Sequence, residues 1–183
     1  MKLYLIRHPE PELPPGLCYG RLDVPAREVA AAAAGLRPQL PADLPLWTSP
    51  LRRCQELAAL LAAAPVVDPR LAEMDFGAWE GRSWQEIGPA ALDAWAADLA
   101  GYVPPGGESA RQVQARALQL VAELEDKGIA AAGFVTHAGV IRVLLAHWRQ
   151  LPVAAWLDIR PGFAEVMVCA VPQQSKAIQA LNR

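Results

Sequence analysis

Leu3-Tyr4-Leu5-Ile6-Arg7-His8-Pro9 decides the fold reading: an apolar run that ends in a guanidinium, an imidazole and a proline. The run reads as a buried strand, and Pro9 and Pro11 stop it at once. The Arg-His pair is thereby set at a strand's carboxyl end, where open α/β sheets place their ligands. An arginine beside a histidine there suits gripping a phosphoryl group while the imidazole attacks or orients it. A charged pair with no chemistry would read the same in isolation.

Two further junctions repeat the pattern. Gly133-Phe134-Val135-Thr136 reads as a second apolar strand that ends at His137-Ala138-Gly139-Val140, and Ile141-Arg142-Val143-Leu144-Leu145 continues as a helix. Another histidine thus stands at a strand-to-helix junction, where Gly139 lets a ligand approach the backbone closely. Leu46-Trp47-Thr48-Ser49-Pro50-Leu51-Arg52-Arg53-Cys54 delivers two arginines into the first turn of a helix carrying Leu57, Leu60 and Leu61. Cations there oppose the helix dipole, which points to an anion that compensates them.

Between these junctions the chain alternates strands and helices. A Pro-rich loop runs to Pro25, and an Ala-rich helix follows from about Arg27 to Leu36. Trp47 closes the next strand, the helix after Pro50 runs to about Ala64, and Val66-Val67 forms a third short strand. Leu71 to Gly107, with its Gly and Pro breaks and a short helix near Ala90 to Leu99, reads as an inserted cap. Ser109 caps a long helix bearing Val113, Leu118, Val121 and Leu124, which ends near Lys127-Gly128. Glu165 to Val171 and Lys176 to Leu181 alternate like a hairpin around Pro172-Gln173-Gln174-Ser175. The expected fold is a single α/β domain over residues 1–183, a three-layer sandwich with a mostly parallel sheet and an antiparallel edge.

Composition narrows the class. The 183 residues fit one domain with a sizeable core, and a net charge of -2 gives no electrostatic case for nucleic acid or an anionic membrane. Lys2 leads straight into a strand, with no long apolar region, cleavage pattern or membrane-length run. Cys18, Cys54 and Cys169 form neither a disulfide framework nor a zinc site, so a reducing cytoplasm is expected. Cys54 reads as a small buried hydrophobe and His147 as a surface or packing residue. The sequence leaves the oligomeric state open.

Four stretches together resemble the histidine phosphatase superfamily. Leu5-Ile6-Arg7-His8 is similar to its opening Arg-His motif, and Thr136-His137-Ala138-Gly139-Val140-Ile141-Arg142 to its second-histidine motif. Ser49-Pro50-Leu51-Arg52-Arg53-Cys54-Gln55-Glu56-Leu57-Ala58 resembles the segment that gives the pocket its arginine, which assigns Arg53 rather than Arg52. Leu71-Ala72-Glu73-Met74-Asp75-Phe76-Gly77-Ala78-Trp79-Glu80-Gly81 resembles the acid/base segment, which assigns Glu73 over Asp75 and Glu80. Cys18-Tyr19-Gly20-Arg21-Leu22-Asp23-Val24-Pro25 and Pro105-Gly106-Gly107-Glu108-Ser109 are similar to segments of the α-ribazole phosphatase branch, which acts in cobalamin nucleotide-loop assembly. Pro9 and Pro14 depart from the family pattern and stiffen the entrance loop.

The resemblance implies a phosphomonoesterase acting on a small-molecule substrate. His8 would attack phosphorus and carry the phosphoryl group, while Arg7 and Arg53 fork onto its oxygens. His137 would add a donor, protonated beside the phosphate, and Glu73 would protonate the leaving oxygen and then accept a proton from water. The arginines replace a metal, so no cofactor is expected. Tyr19, Gly20, Arg21, Ala138 and Gly139 are expected to touch substrate, with Trp79 and Trp84 at the rim and Trp47, Trp95, Trp148 and Trp156 in the core. Glu108 either fixes the cap loop or only favours the following helix's N-terminus. A broad-specificity phosphatase, a protein phosphohistidine phosphatase and a silent phosphate-binding module are the alternatives.

Overall fold

The computed structural model describes residues 1–172. A five-stranded sheet, in spatial order β3-β2-β4-β1-β5, forms its middle layer. Strands β1 (Lys2–Arg7), β2 (Leu46–Thr48), β3 (Val66–Val67) and β4 (Ala131–Thr136) run parallel, and β5 (Val166–Ala170) pairs antiparallel with β1. The expected antiparallel edge is therefore present. The second arm of the expected hairpin, Lys176 to Leu181, lies outside the described residues.

Alternation along β1 explains why its sequence is a continuous apolar run. Leu3 and Leu5 join one core, with Val113, Leu120 and Leu124 of α5 (Ala110–Asp126) and Leu144 of α6 (Ala138–Trp148). Tyr4 and Ile6 point the other way, onto Leu36 of α1 (Val29–Leu36) and Leu57 of α2 (Arg52–Leu61). A strand covered on both faces has no polar side to show. Ser109 caps α5 with a reciprocal capping box to Gln112, which fixes where the long helix begins. Helix α1 starts at Val29, two residues later than expected, because Glu28 sits in the left-handed region at φ 49°.

This topology also sets the site. The helices after β1 and β4 pack on opposite faces of the sheet, so a crevice opens between the carboxyl ends of these two neighbours. Arg7 pairs with Thr136, and the His8 N–H donates to the Thr136 carbonyl at 3.0 Å, which sets His8 beside His137.

Residues 71–107 wall one side of the crevice with two short helices, α3 (Trp84–Ile87) and α4 (Pro89–Ala97). The stretch is tied to the loop after β1 by paired backbone hydrogen bonds between Cys18 and the Gly81-Arg82 turn. Its aromatics are not arranged as expected. Trp79 is buried and stacks on Tyr102, because the turn at Gly77–Trp79 carries it inward. Trp95, expected in the core, instead lines the crevice and lies parallel to Trp84, with ring centroids 6.1 Å apart. Trp156 is buried as expected but also reaches the cavity wall. No helix among the described residues is long and apolar enough to cross a membrane.

Candidate active site

A cavity of about 420 Å³ opens at the carboxyl ends of β1 and β4, and its lining includes Arg7, His8, Tyr19, Glu73, Ala138, Gly139 and Arg142. The rest of the lining is mostly apolar and includes Leu17, Phe76, Trp84, Trp95 and Leu157.

His8 is buried at the floor. Its Nδ1 lies 2.6 Å from the Pro9 carbonyl, which can only accept, so Nδ1 carries the proton and Nε2 keeps its lone pair. The Arg53 Nε–H approaches that lone pair at 3.4 Å. Burial, followed by the charge of Arg53 and then of Arg7, holds the imidazole far below its ordinary range, at about 3. The surroundings thus favour a neutral imidazole whose unprotonated Nε2 faces the Arg53 Nε–H, with Arg7 as a second cation nearby.

His137, fully buried at the start of α6, packs edge-on to His8 with ring centroids 5.0 Å apart. Its Nε2 lies 2.7 Å from the Ser49 hydroxyl. Burial first, then the neighbouring His8 and Arg53, keep it well below the usual histidine range. These surroundings, burial above all, favour the neutral ring, and the protonated donor expected from the sequence is the form that a phosphate beside it would stabilise.

Of the two arginines opening α2, the helix turns Arg53 inward and Arg52 out. Arg53 is fully buried, with Nη1 and Nη2 donating to the Leu22 and Gly20 carbonyls at 2.8 and 2.7 Å. Arg52 is exposed and pairs with Glu56. Arg7 donates to the Pro161 carbonyl at 2.7 Å and stacks over the Phe163 ring at 3.7 Å, leaving its buried Nε–H without a partner among the described residues.

The three acidic candidates separate equally clearly. Glu73 faces the cavity and accepts from the Gly139 and Met74 N–H groups, both at 3.0 Å. Glu80 gathers the N–H groups of Gly20, Arg21, Leu22 and Phe76 and so ties down the entrance loop. Asp75 accepts from the Gly77 N–H at 2.8 Å and serves the turn.

Gly20 and Arg21 do not line the cavity, and Arg53 and His137 do not line it either; these two are fully buried and pack against His8, which does. A Cβ on Gly20 would lie 1.9 Å from the Met74 carbonyl oxygen, so this glycine serves close packing and not flexibility. Ser49, Arg142, Phe163 and Trp95 are the site residues that the sequence reading missed. Arg142 stood within the quoted second-histidine segment, one turn from Gly139, and Ser49 stood in the quoted junction between the strand closed by Trp47 and the following helix; nothing local marked Phe163. Among the described residues, no group of three or more His, Cys, Asp or Glu could hold a metal.

Fold and cavity define an α/β sandwich with basic and imidazole side chains gathered at its strand ends, and comparison with known proteins gives the family. The model of the histidine phosphatase superfamily (branch 1) matches residues 3–183, and the chain belongs to that superfamily. It is 35% identical over 175 residues to a glucosyl-3-phosphoglycerate phosphatase of Mycolicibacterium vanbaalenii, spanning 85% of this chain and 77% of the relative. The structure of a mycobacterial glucosyl-3-phosphoglycerate phosphatase complexed with VO3 superposes with a TM-score of 0.79 at 32% identity, covering 92% of each chain. A Thermus thermophilus protein of known structure, TTHB049, gives 0.77 at 30% identity, covering 94% of this chain and 95% of that one. The protein is a phosphatase of this superfamily, a phosphoric monoester hydrolase.

Proposed function

We propose that the chain acts as one catalytic domain, with residues 71–107 as its cap, and hydrolyses a small phosphomonoester through a phosphohistidine on His8. The arrangement of the His8 ring carries this reading: Nδ1–H is held by Pro9 and Nε2 keeps a lone pair at the pocket floor. A phosphomonoester enters with its charge against Arg7, Arg53 and His137. His8 Nε2 attacks phosphorus and the ester P–O bond breaks, while Glu73 gives its proton to the departing oxygen. The Pro9 carbonyl then faces a ring that has gained positive character. In the second step water attacks phosphorus, Glu73 takes its proton and the N–P bond breaks, releasing orthophosphate and neutral His8. The unpartnered Arg7 Nε–H supports an anion at this place, since a buried donor without an acceptor costs about 1–3 kcal/mol.

For the substrate, the apolar wall favours a leaving group with a flat apolar portion. Phe76, Trp84 and Trp95 meet edge-on or stacked, with Tyr19 nearer the phosphate side. α-Ribazole 5′-phosphate has that shape, and with it the enzyme would serve cobalamin nucleotide-loop assembly in the cytoplasm. The mycobacterial relatives favour a second reading, glucosyl-3-phosphoglycerate, whose carboxylate Arg142 could meet at the cavity wall. Comparing kcat/KM for both compounds, 3-phosphoglycerate and fructose 6-phosphate tests the choice. The expected order puts α-ribazole 5′-phosphate first; a preference for glucosyl-3-phosphoglycerate replaces the first reading by the second. Equal values leave a broad-specificity enzyme, and no turnover of any phosphomonoester leaves a silent binding module.

A further inference from the structure

Glu108 takes no part in the chemistry above, yet it anchors a half-buried ionic cluster behind Glu73. Its Oε1 accepts from Arg116 Nη2 at 2.7 Å, Arg21 Nη2 at 3.2 Å and the Asp75 N–H at 3.1 Å, and its Oε2 accepts from Arg116 Nε at 3.1 Å. Both guanidiniums then converge on one further acceptor. Arg21 Nε donates to the backbone carbonyl of Glu73 at 2.9 Å and Arg116 Nη2 to the same oxygen at 3.1 Å. Arg116 also donates to the Arg70 carbonyl at 2.6 Å, which fixes its plane.

The clamped carbonyl belongs to the Glu73–Met74 peptide. The N–H of that same peptide donates to the Glu73 carboxylate, Oε1, at 3.0 Å. A peptide unit is planar, so a cation pair that fixes its C=O also fixes its N–H. The direction of the carboxyl group is therefore set from behind by Glu108, with the Gly139 N–H completing the hold from the cavity side. Burial pushes the Glu108 carboxyl up, but Arg116, the Asp75 N–H and Arg21 together outweigh it and hold it below its ordinary value, so it stays charged near neutral pH.

We propose that Glu108 is a positioning residue for Glu73, acting through Arg21 and Arg116 to hold the Glu73–Met74 peptide and aim the carboxyl at the leaving oxygen. The proposal rests on the proton-donor reading of Glu73 given above. A cluster that only braced the cap would affect every substrate alike. A cluster that aims an acid affects substrates in proportion to their need for protonation.

The test is kcat/KM for an alkyl phosphate and for p-nitrophenyl phosphate, whose leaving group departs unprotonated. This parameter covers the steps through phosphoryl transfer and excludes the later attack of water. Glu73→Gln, Glu108→Gln and Arg21→Gln are compared with wild type. Glu73→Gln is expected to lose at least about a hundredfold more on the alkyl ester than on the aryl ester. Glu108→Gln keeps the shape and removes the charge; it should lose about tenfold or more on the alkyl ester and about twofold or less on the aryl ester. Equal losses on both esters, or no loss, in Glu108→Gln while Glu73→Gln is selective overturn the proposal and leave the proton-donor reading standing. An unselective Glu73→Gln overturns that reading and the proposal with it. If Glu108→Gln does not fold, Arg21→Gln decides by the same ratio: a selective alkyl loss supports the clamp, and an unchanged ratio overturns it.

Discussion

Gly139 donates its backbone N–H to Glu73 Oε2 at 3.0 Å, and a Cβ added to it would lie 2.2 Å from Oε1 of the same carboxylate. The start of α6 thus carries a side-chain carboxylate against its first turn, at the edge of the cavity where a phosphate is proposed to bind.

Gly139→Ala should therefore separate activity from stability. The atom that must yield is the free end of a flexible side chain, so the fold loses little while Glu73 swings out of line. A fall of about a hundredfold in alkyl-phosphate turnover is expected with a nearly unchanged Tm. Gly20→Ala should behave in the opposite sense, because its Cβ meets the Met74 backbone at 1.9 Å and nothing soft can move. There a loss of about 1–3 kcal/mol is expected, which thermal unfolding would show as a drop of several degrees.

The adjacent arginines give a second contrast. Arg53→Lys keeps a cation but loses the fork that spans Leu22, Gly20 and His8, and kcat/KM should fall by about a hundred- to a thousandfold. Arg52→Ala removes an exposed pair with Glu56 and should stay within about threefold of wild type. Steady-state kinetics on both variants checks this, and similar losses would mean that Arg53 has no special place at the site.

His8 should leave a mark on stability against pH. Its folded value of about 3 lies below the 6.5 of an unperturbed imidazole, so between these limits the unfolded chain binds more protons than the folded one. Stability is unaffected above about pH 6.5 and falls progressively as the pH drops toward 3, by a few kcal/mol in all. His137 acts in the same direction. Urea unfolding at a series of pH values should show a flatter acid limb for His8→Asn than for wild type. Parallel limbs would mean that His8 is not held neutral by its surroundings.

The aromatic wall yields a prediction about selectivity. Trp95→Ala and Tyr19→Ala should each narrow the preference for α-ribazole 5′-phosphate over 3-phosphoglycerate by about 0.5–1.5 kcal/mol. Relative kcat/KM values measure it, and an unchanged ratio would remove these rings from substrate recognition.

Much of the site was legible because it sits where short signals coincide. Arg7, His8 and His137 each end or follow a short apolar run that reads as a strand covered on both faces, with Pro9 or Gly139 close behind to stop it, so their positions at the sheet's carboxyl edge follow from the pattern. Arg53 and Glu73 needed the family register, since neighbouring residues of the same charge stand one and two positions away. The aromatics were misread for a different reason. Trp79 and Trp95 lie in a stretch of turns and short helices with no sustained period, and only the φ of 53° at Gly77 and the contacts around it send one ring inward. The role of Glu108 was equally hidden, because its partners Arg21 and Arg116 lie 87 and 8 residues away.

The central claim is the covalent step on His8. Wild-type enzyme mixed with a radiolabelled phosphomonoester and quenched in alkali, where phosphohistidine survives, should yield a labelled peptide containing His8. That label should be lost in mild acid and absent from His8→Ala, which should be inactive although folded. Turnover without label, label on another residue, or an active His8→Ala would contradict it.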